Sequence, residues 1–171
     1  SAYRERYGEA ALGQVMPVRK MITSGVPLAA GTDATRVSSY NPWLCIHWLV
    51  SGQGRGGDVM WAPENRLSRD EALRHWTAAG AWFSREAGVK GALAPGQLAD
   101  LAVLDRDYFS CPEGEIAAIT ADLTLVGGKI VFADGAFTEH GPPPLPAMPA
   151  WSPVSMFGAP GFVAEKGSMI A

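Results

Sequence analysis

Apolar and polar positions set out three helices in the first half of the chain. Val18, Met21 and Ile22 recur at helical spacing between Pro17 and Gly25. That pattern predicts a short helix over 18–24, with proline at its first turn and glycine at its end. Val26 to Ala30 is a short continuous apolar run and reads as a buried strand. Pro27 cannot donate to a ladder, so it belongs at the strand's beginning or at an unpaired position. Asn41 and Pro42 suit the N-cap and first position of a second helix over 42–51. Trp43, Leu44, Ile46, Trp48, Leu49 and Val50 make that helix apolar nearly all round, which predicts burial within a larger body. Ser68 and Glu71 form a capping box, with Leu67 available as a staple, and open a third helix over 68–87 that Gly88 ends.

Between the second and third helices, residues 51–66 are rich in glycine. They lack the Gly-Lys-Ser/Thr ending of a phosphate loop and read as a surface loop. Arg55 and Asp58 are its polar candidates for facing a substrate. Beyond residue 90 the chain changes character. Leu101 to Leu104, residues 116–120 and 123–126, and Lys129 to Ala133 are apolar or β-branched runs separated by turn residues. They predict a small β module of three or four strands. Gly127-Gly128 and Asp134-Gly135 mark turns. Asp100, Asp105, Asp107 and Asp122 fall at turns and read as turn formers. Residues 141–160 hold most of the late prolines and read as an extended tail.

The length, 171 residues, suffices for one sizeable core or one domain with a satellite. Lysine and arginine number 14 against 17 aspartates and glutamates, a net charge of -3. That balance gives no footing for nucleic acid or an anionic membrane as partner. No stretch is long and apolar enough for a membrane span. Cys45 and Cys111 are far apart in unlike contexts. They read as free thiols in a reducing, cytoplasmic compartment, with a single disulfide the alternative. The opening Ser-Ala-Tyr-Arg is not a signal peptide and lacks methionine, so it reads as a processed or cut start.

Candidate chemistry centres on Gly31-Thr32-Asp33, at the carboxyl end of the expected strand. In α/β folds that end carries the working residues. Asp33 is therefore the first candidate, with a local turn or cap as the alternative reading. His47 is read as a buried histidine satisfied by a backbone carbonyl. His75, beside the apolar face of the third helix, is read as structural.

Several segments in order carry a family resemblance. They are Pro17-Val-Arg-Lys-Met, Gly25-Val-Pro-Leu-Ala-Ala-Gly-Thr-Asp-Ala, Asn41-Pro-Trp, Leu67-Ser-Arg-Asp-Glu-Ala-Leu, Gly91 through Asp105, and Leu125-Val-Gly-Gly-Lys-Ile-Val. Over about residues 15–138 this set resembles the C-terminal part of the metal-dependent amidohydrolase superfamily, in its amidohydrolase-3 group. The resemblance implies an α/β fold: the last strand and flanking helices of a (β/α)8 barrel within residues 1–90, and part of a small β-sandwich domain over 91–138. A proline-rich tail would follow over 139–171. Residues 26–33 would be the eighth barrel strand. Asp33 would be the catalytic aspartate at the metal, contacting the metal-bound water and passing its proton to the leaving nitrogen. The metal would be a divalent ion, zinc by default.

The upstream His-x-His pair and later ligands of that family have no counterpart here, and His47, His75 and His140 lack ligand spacing. The expectation is a C-terminal fragment of a hydrolase acting on C–N bonds, inactive alone and binding no metal alone. The parent would take a small-molecule substrate, and the fragment would self-associate through its open edges. Two alternatives stand beside it: a non-enzymatic β-rich interaction module, and a related hydrolase of esters.

Overall fold

The structure is a computed structural model and describes residues 2–34, 39–54 and 56–143. Residues Ser1–Gly141 form one compact unit, and Pro142–Ala171 a second. The expected tail lies almost wholly outside the described residues.

In the first unit, α1 (Ala2–Tyr7) runs into a 3-10 helix at Glu9–Gln14, followed by α2 (Val18–Thr23) and α3 (Pro42–Ser51). The α3 boundaries are those the sequence predicts. The Asn41 side chain accepts the Trp43 N–H at 2.9 Å, Pro42 occupies the first turn, and Gly52 closes the helix at φ 71°. A further 3-10 turn spans Pro63–Asn65, then α4 (Arg69–Trp76) and α5 (Ala78–Phe83) follow.

The capping box forms on α4. Ser68 Oγ accepts the Glu71 N–H, and Glu71 Oε2 accepts the Ser68 N–H at 2.8 Å. The helix expected over 68–87 is broken, however. Thr77 leaves helical backbone at φ -113° and ψ -84°. Its hydroxyl donates back to the Leu73 carbonyl at 2.8 Å, an interaction that disturbs helices. Gly91 (φ +96°) approaches the break so closely that a Cβ there would lie 2.9 Å from Ala78 Cα.

Three antiparallel strands make the β module in the order β1 (Leu101–Leu104), β2 (Ala121–Val126) and β3 (Lys129–Ala133). Leu101 pairs with Leu125, and Leu123 with Ala133. Gly127 and Gly128 join β2 to β3 at φ 57° and 77°, the left-handed pair that a two-residue hairpin requires. Asp107 accepts the Phe109 N–H at 2.9 Å and forms a local turn, whereas Asp100 and Asp105 reach across the module to accept the Gly127 N–H at 2.7 Å and the Thr120 N–H at 3.1 Å. Residues 113–118 form a 3-10 helix, which takes in 116–118 of the 116–120 run that reads as a strand. Pro112 precedes it, and Ile116 and Ile119, three apart, both turn into the core.

One segment departs from the barrel expectation. No strand forms over 26–30. A barrel strand takes its identity from a neighbour on each side, and no described strand lies beside this one. The described unit is thus a mixed helix-and-strand body with one small antiparallel sheet.

The core gathers Ile46, Leu49 and Val50 of α3 with Trp61, Leu67, Ala72, Tyr108, Ile116 and Ile119. Trp61 is fully buried and stacks on Trp48 with ring centroids 4.5 Å apart. Its indole N–H donates to the carbonyls of Val15 and Met16 at 2.8 and 2.9 Å. Arg69 clamps the loop after β1 to α4 by donating to the Tyr108 and Cys111 carbonyls. The buried Tyr108 hydroxyl returns a bond to the Arg69 carbonyl at 2.8 Å. Burial pushes that hydroxyl up to about 12, so it stays a neutral donor.

Candidate active site

The feature that draws the expected chemistry together is an open groove of about 1170 Å³. Residues 28–32 form one wall, and Leu44, Cys45, His47 and Trp48 of α3 form another. His75 and Trp76, at the end of α4, complete it. Helix α3 is apolar nearly all round, so one face fills the core while another remains to line the groove. Among the described residues, no aspartate, glutamate, lysine or arginine lines it. Such a lining offers no ionic partner, so it suits an uncharged group.

Gly31 and Thr32 line this groove, and Asp33 follows them in an exposed position. Asp33 adopts left-handed backbone, φ 49°, which aspartate tolerates better than most residues. The Thr32 hydroxyl accepts the Ala34 N–H at 3.2 Å, fixing a local turn at this point. Asp33 thus lies in a turn that leaves the groove wall.

The sequence separates His47 and His75, but the fold places both on the groove. His75 Nδ1 lies 3.0 Å from the Leu28 carbonyl. His47 is half-buried rather than fully buried, and among the described residues its ring forms no hydrogen bond. Cys45 shares the wall, and both Cys45 and Cys111 are free thiols. Asp58 is exposed, with its carbonyl accepting the Gly54 N–H at 3.0 Å, while Arg55 lies outside the described residues. The groove's two histidines share no sequence motif, and only the packing of α3 beside α4 brings them to it.

An ion pair joins α2 to α4. Arg19 of α2 donates to both carboxylate oxygens of Glu71 at 2.5 and 2.9 Å, and to the Arg66 carbonyl at 2.8 Å. The Arg19 guanidinium, helped by the Ser68 N–H, holds the Glu71 carboxyl down at about 2. This bidentate pair ties the helix preceding residues 26–33 to the helix that carries His75.

A metal centre needs several convergent ligands. Among the described residues, no group of three or more histidine, cysteine, aspartate or glutamate side chains could hold an ion. Asp33 offers one carboxylate, so these residues do not form a metal site by themselves. No helix among them is long and apolar enough to cross a membrane.

Residues 1–132 match the model of the Amidohydrolase family. The chain is also 30% identical, over 117 residues, to an N-substituted formamide deformylase of Arthrobacter pascens. That alignment covers 68% of this chain and 21% of the relative, so the chain spans about a fifth of the curated relative's length. No solved structure matches. The family match takes in every helix from α2 to α5 and almost the whole sheet, and the chain belongs to the Amidohydrolase family.

Proposed function

We propose that this chain is the C-terminal portion of a hydrolase that cleaves C–N bonds, and that Asp33 is its catalytic carboxylate. The observation that carries the reading is the position of Gly31-Thr32-Asp33. Within a stretch matched to the Amidohydrolase family, this turn leaves the wall of the open groove. An exposed carboxylate there can take a proton from an attacking water and return it to the departing nitrogen. Hydrolysis of an amide requires both transfers, and one residue can perform them in turn.

The substrate class follows from the relative and from the groove. The relative is named for N-substituted formamides. The groove is lined without charge among the described residues, which suits a neutral amide with an apolar substituent. Residues 1–90 would supply the last strand and flanking helices of a barrel, and 91–138 part of a β-sandwich domain. The metal that such enzymes generally need would have its other ligands outside this chain. The chain alone is accordingly inactive, and its exposed apolar side chains, Trp82, Phe83 and Phe132 among them, lead it to self-associate.

The test is Asp33→Asn in the whole natural gene product, assayed on an N-substituted formamide. The expected result is a fall in turnover of at least ~100-fold, the usual weight of general acid–base catalysis. Unchanged turnover would overturn the reading.

A further inference from the structure

We infer that His75 is a positioning residue for the Asp33 turn, an inference that rests on the reading of Asp33 as catalytic. His75 grips the segment leading to Asp33 twice. Its ring Nδ1 lies 3.0 Å from the Leu28 carbonyl, and its own carbonyl accepts the Ala30 N–H at 2.8 Å. A carbonyl only accepts, so the ring presents Nδ1–H to Leu28.

The two bonds straddle Ala29. In a parallel β-bridge, one residue donates to the carbonyl before its partner and accepts from the N–H after it. His75 reproduces that pattern with its imidazole N–H in place of a backbone N–H. The end of α4 thus does for residues 28–30 what an adjacent strand would do, which explains how an extended segment keeps its place without a ladder.

The grip bears on Asp33 because only Gly31 and Thr32 separate it from Ala30. Gly31 has no atom within 4 Å of a would-be Cβ, so no side-chain packing at that position sets the turn. The bonds at Leu28 and Ala30 therefore set the register from which the Asp33 turn begins. The Arg19–Glu71 pair fixes α4 against α2 one helical turn before His75, so the grip is anchored at its base. His75 touches no reacting atom in this account and acts through the segment it holds.

The experiment compares His75→Phe and His75→Asn in the full 171-residue chain by NMR. Phenylalanine keeps the ring's bulk and loses the donor, whereas asparagine can place an N–H where Nδ1–H was. In the parent chain, the His75 nitrogen spectrum should show Nδ1 protonated. In His75→Phe the Ala30 amide should exchange roughly tenfold faster, the scale of one lost hydrogen bond. Exchange at Ile46 in the core should stay unchanged, and His75→Asn should return Ala30 to near the parent rate. In the whole gene product, His75→Phe should lower kcat while leaving KM in place, and His75→Asn should restore it. Unchanged Ala30 exchange in His75→Phe, or no rescue by asparagine, would overturn the inference. Failure of the catalytic reading is seen separately, as an Asp33→Asn product that turns over normally while the exchange results stand.

Discussion

Replacing Glu71 by glutamine should remove a charge pair and leave its helix cap in place. Glutamine keeps the oxygen that accepts the Ser68 N–H, because a capping box takes Glu or Gln. What disappears is the ionic bond to Arg19. Glu71 falls from an ordinary 4.5 to about 2 in the folded chain. At 1.36 kcal/mol for each tenfold change in acidity, that corresponds to about 3 kcal/mol. The two side chains are 37% and 33% exposed, so water screens the pair. The expected loss for Glu71→Gln at neutral pH is therefore reduced to about 1–2 kcal/mol. For a unit of this size, that lowers the melting temperature by roughly 3–8 °C.

The pH dependence fixes the cause. A carboxyl whose acidity rises on folding stabilises the fold fully above its unfolded value. Its contribution is lost as pH falls through the folded value. The gap between parent and Glu71→Gln should be full above about 4.5 and close as pH falls through about 2. Thermal and urea unfolding across pH 2–7 measure it. Equal stability at pH 7 would refute the reasoning. A gap that persists unchanged in acid would refute it as well, because the loss would then come from packing.

Two further substitutions test the core and the hairpin. Trp61→Phe removes the donor shared by the Val15 and Met16 carbonyls and leaves space beside Trp48, and it should cost about 2–3 kcal/mol in urea unfolding. Gly127→Asn should stabilise by about 0.5 kcal/mol in the same assay. Its left-handed φ of 57° suits asparagine, and a Cβ there meets nothing within 4 Å.

What could be read in the sequence was local. Asn41-Pro42 and the Ser68–Glu71 box act within one helical turn, and the structure places both helix starts where they predict. The Gly127-Gly128 hairpin is of the same kind. The break at Thr77 sits against Gly91, which lies fourteen positions away in sequence and meets it only in the fold. Residues 116–120 carry a strand's pattern, but a short apolar run takes its conformation from what it packs on, here α3 and the rest of the core. Residues 26–30 carry a strand's pattern, yet a strand is a property of a pair. The chain instead meets this segment with a histidine 47 positions away. No spacing rule could link His75 to Leu28, so its grip on the Asp33 segment becomes visible only in three dimensions.

The central claim is that Asp33 belongs to the chemistry. Turnover and bound metal, measured on the same samples of parent and Asp33→Asn gene product, test it most directly. The expected result is bound divalent metal in the parent and a fall in turnover of at least ~100-fold in the variant. Metal retained in that variant would mark Asp33 as the proton carrier, and metal lost with turnover would make it a ligand as well. Full turnover with metal undisturbed would contradict the account and leave Asp33 a turn residue.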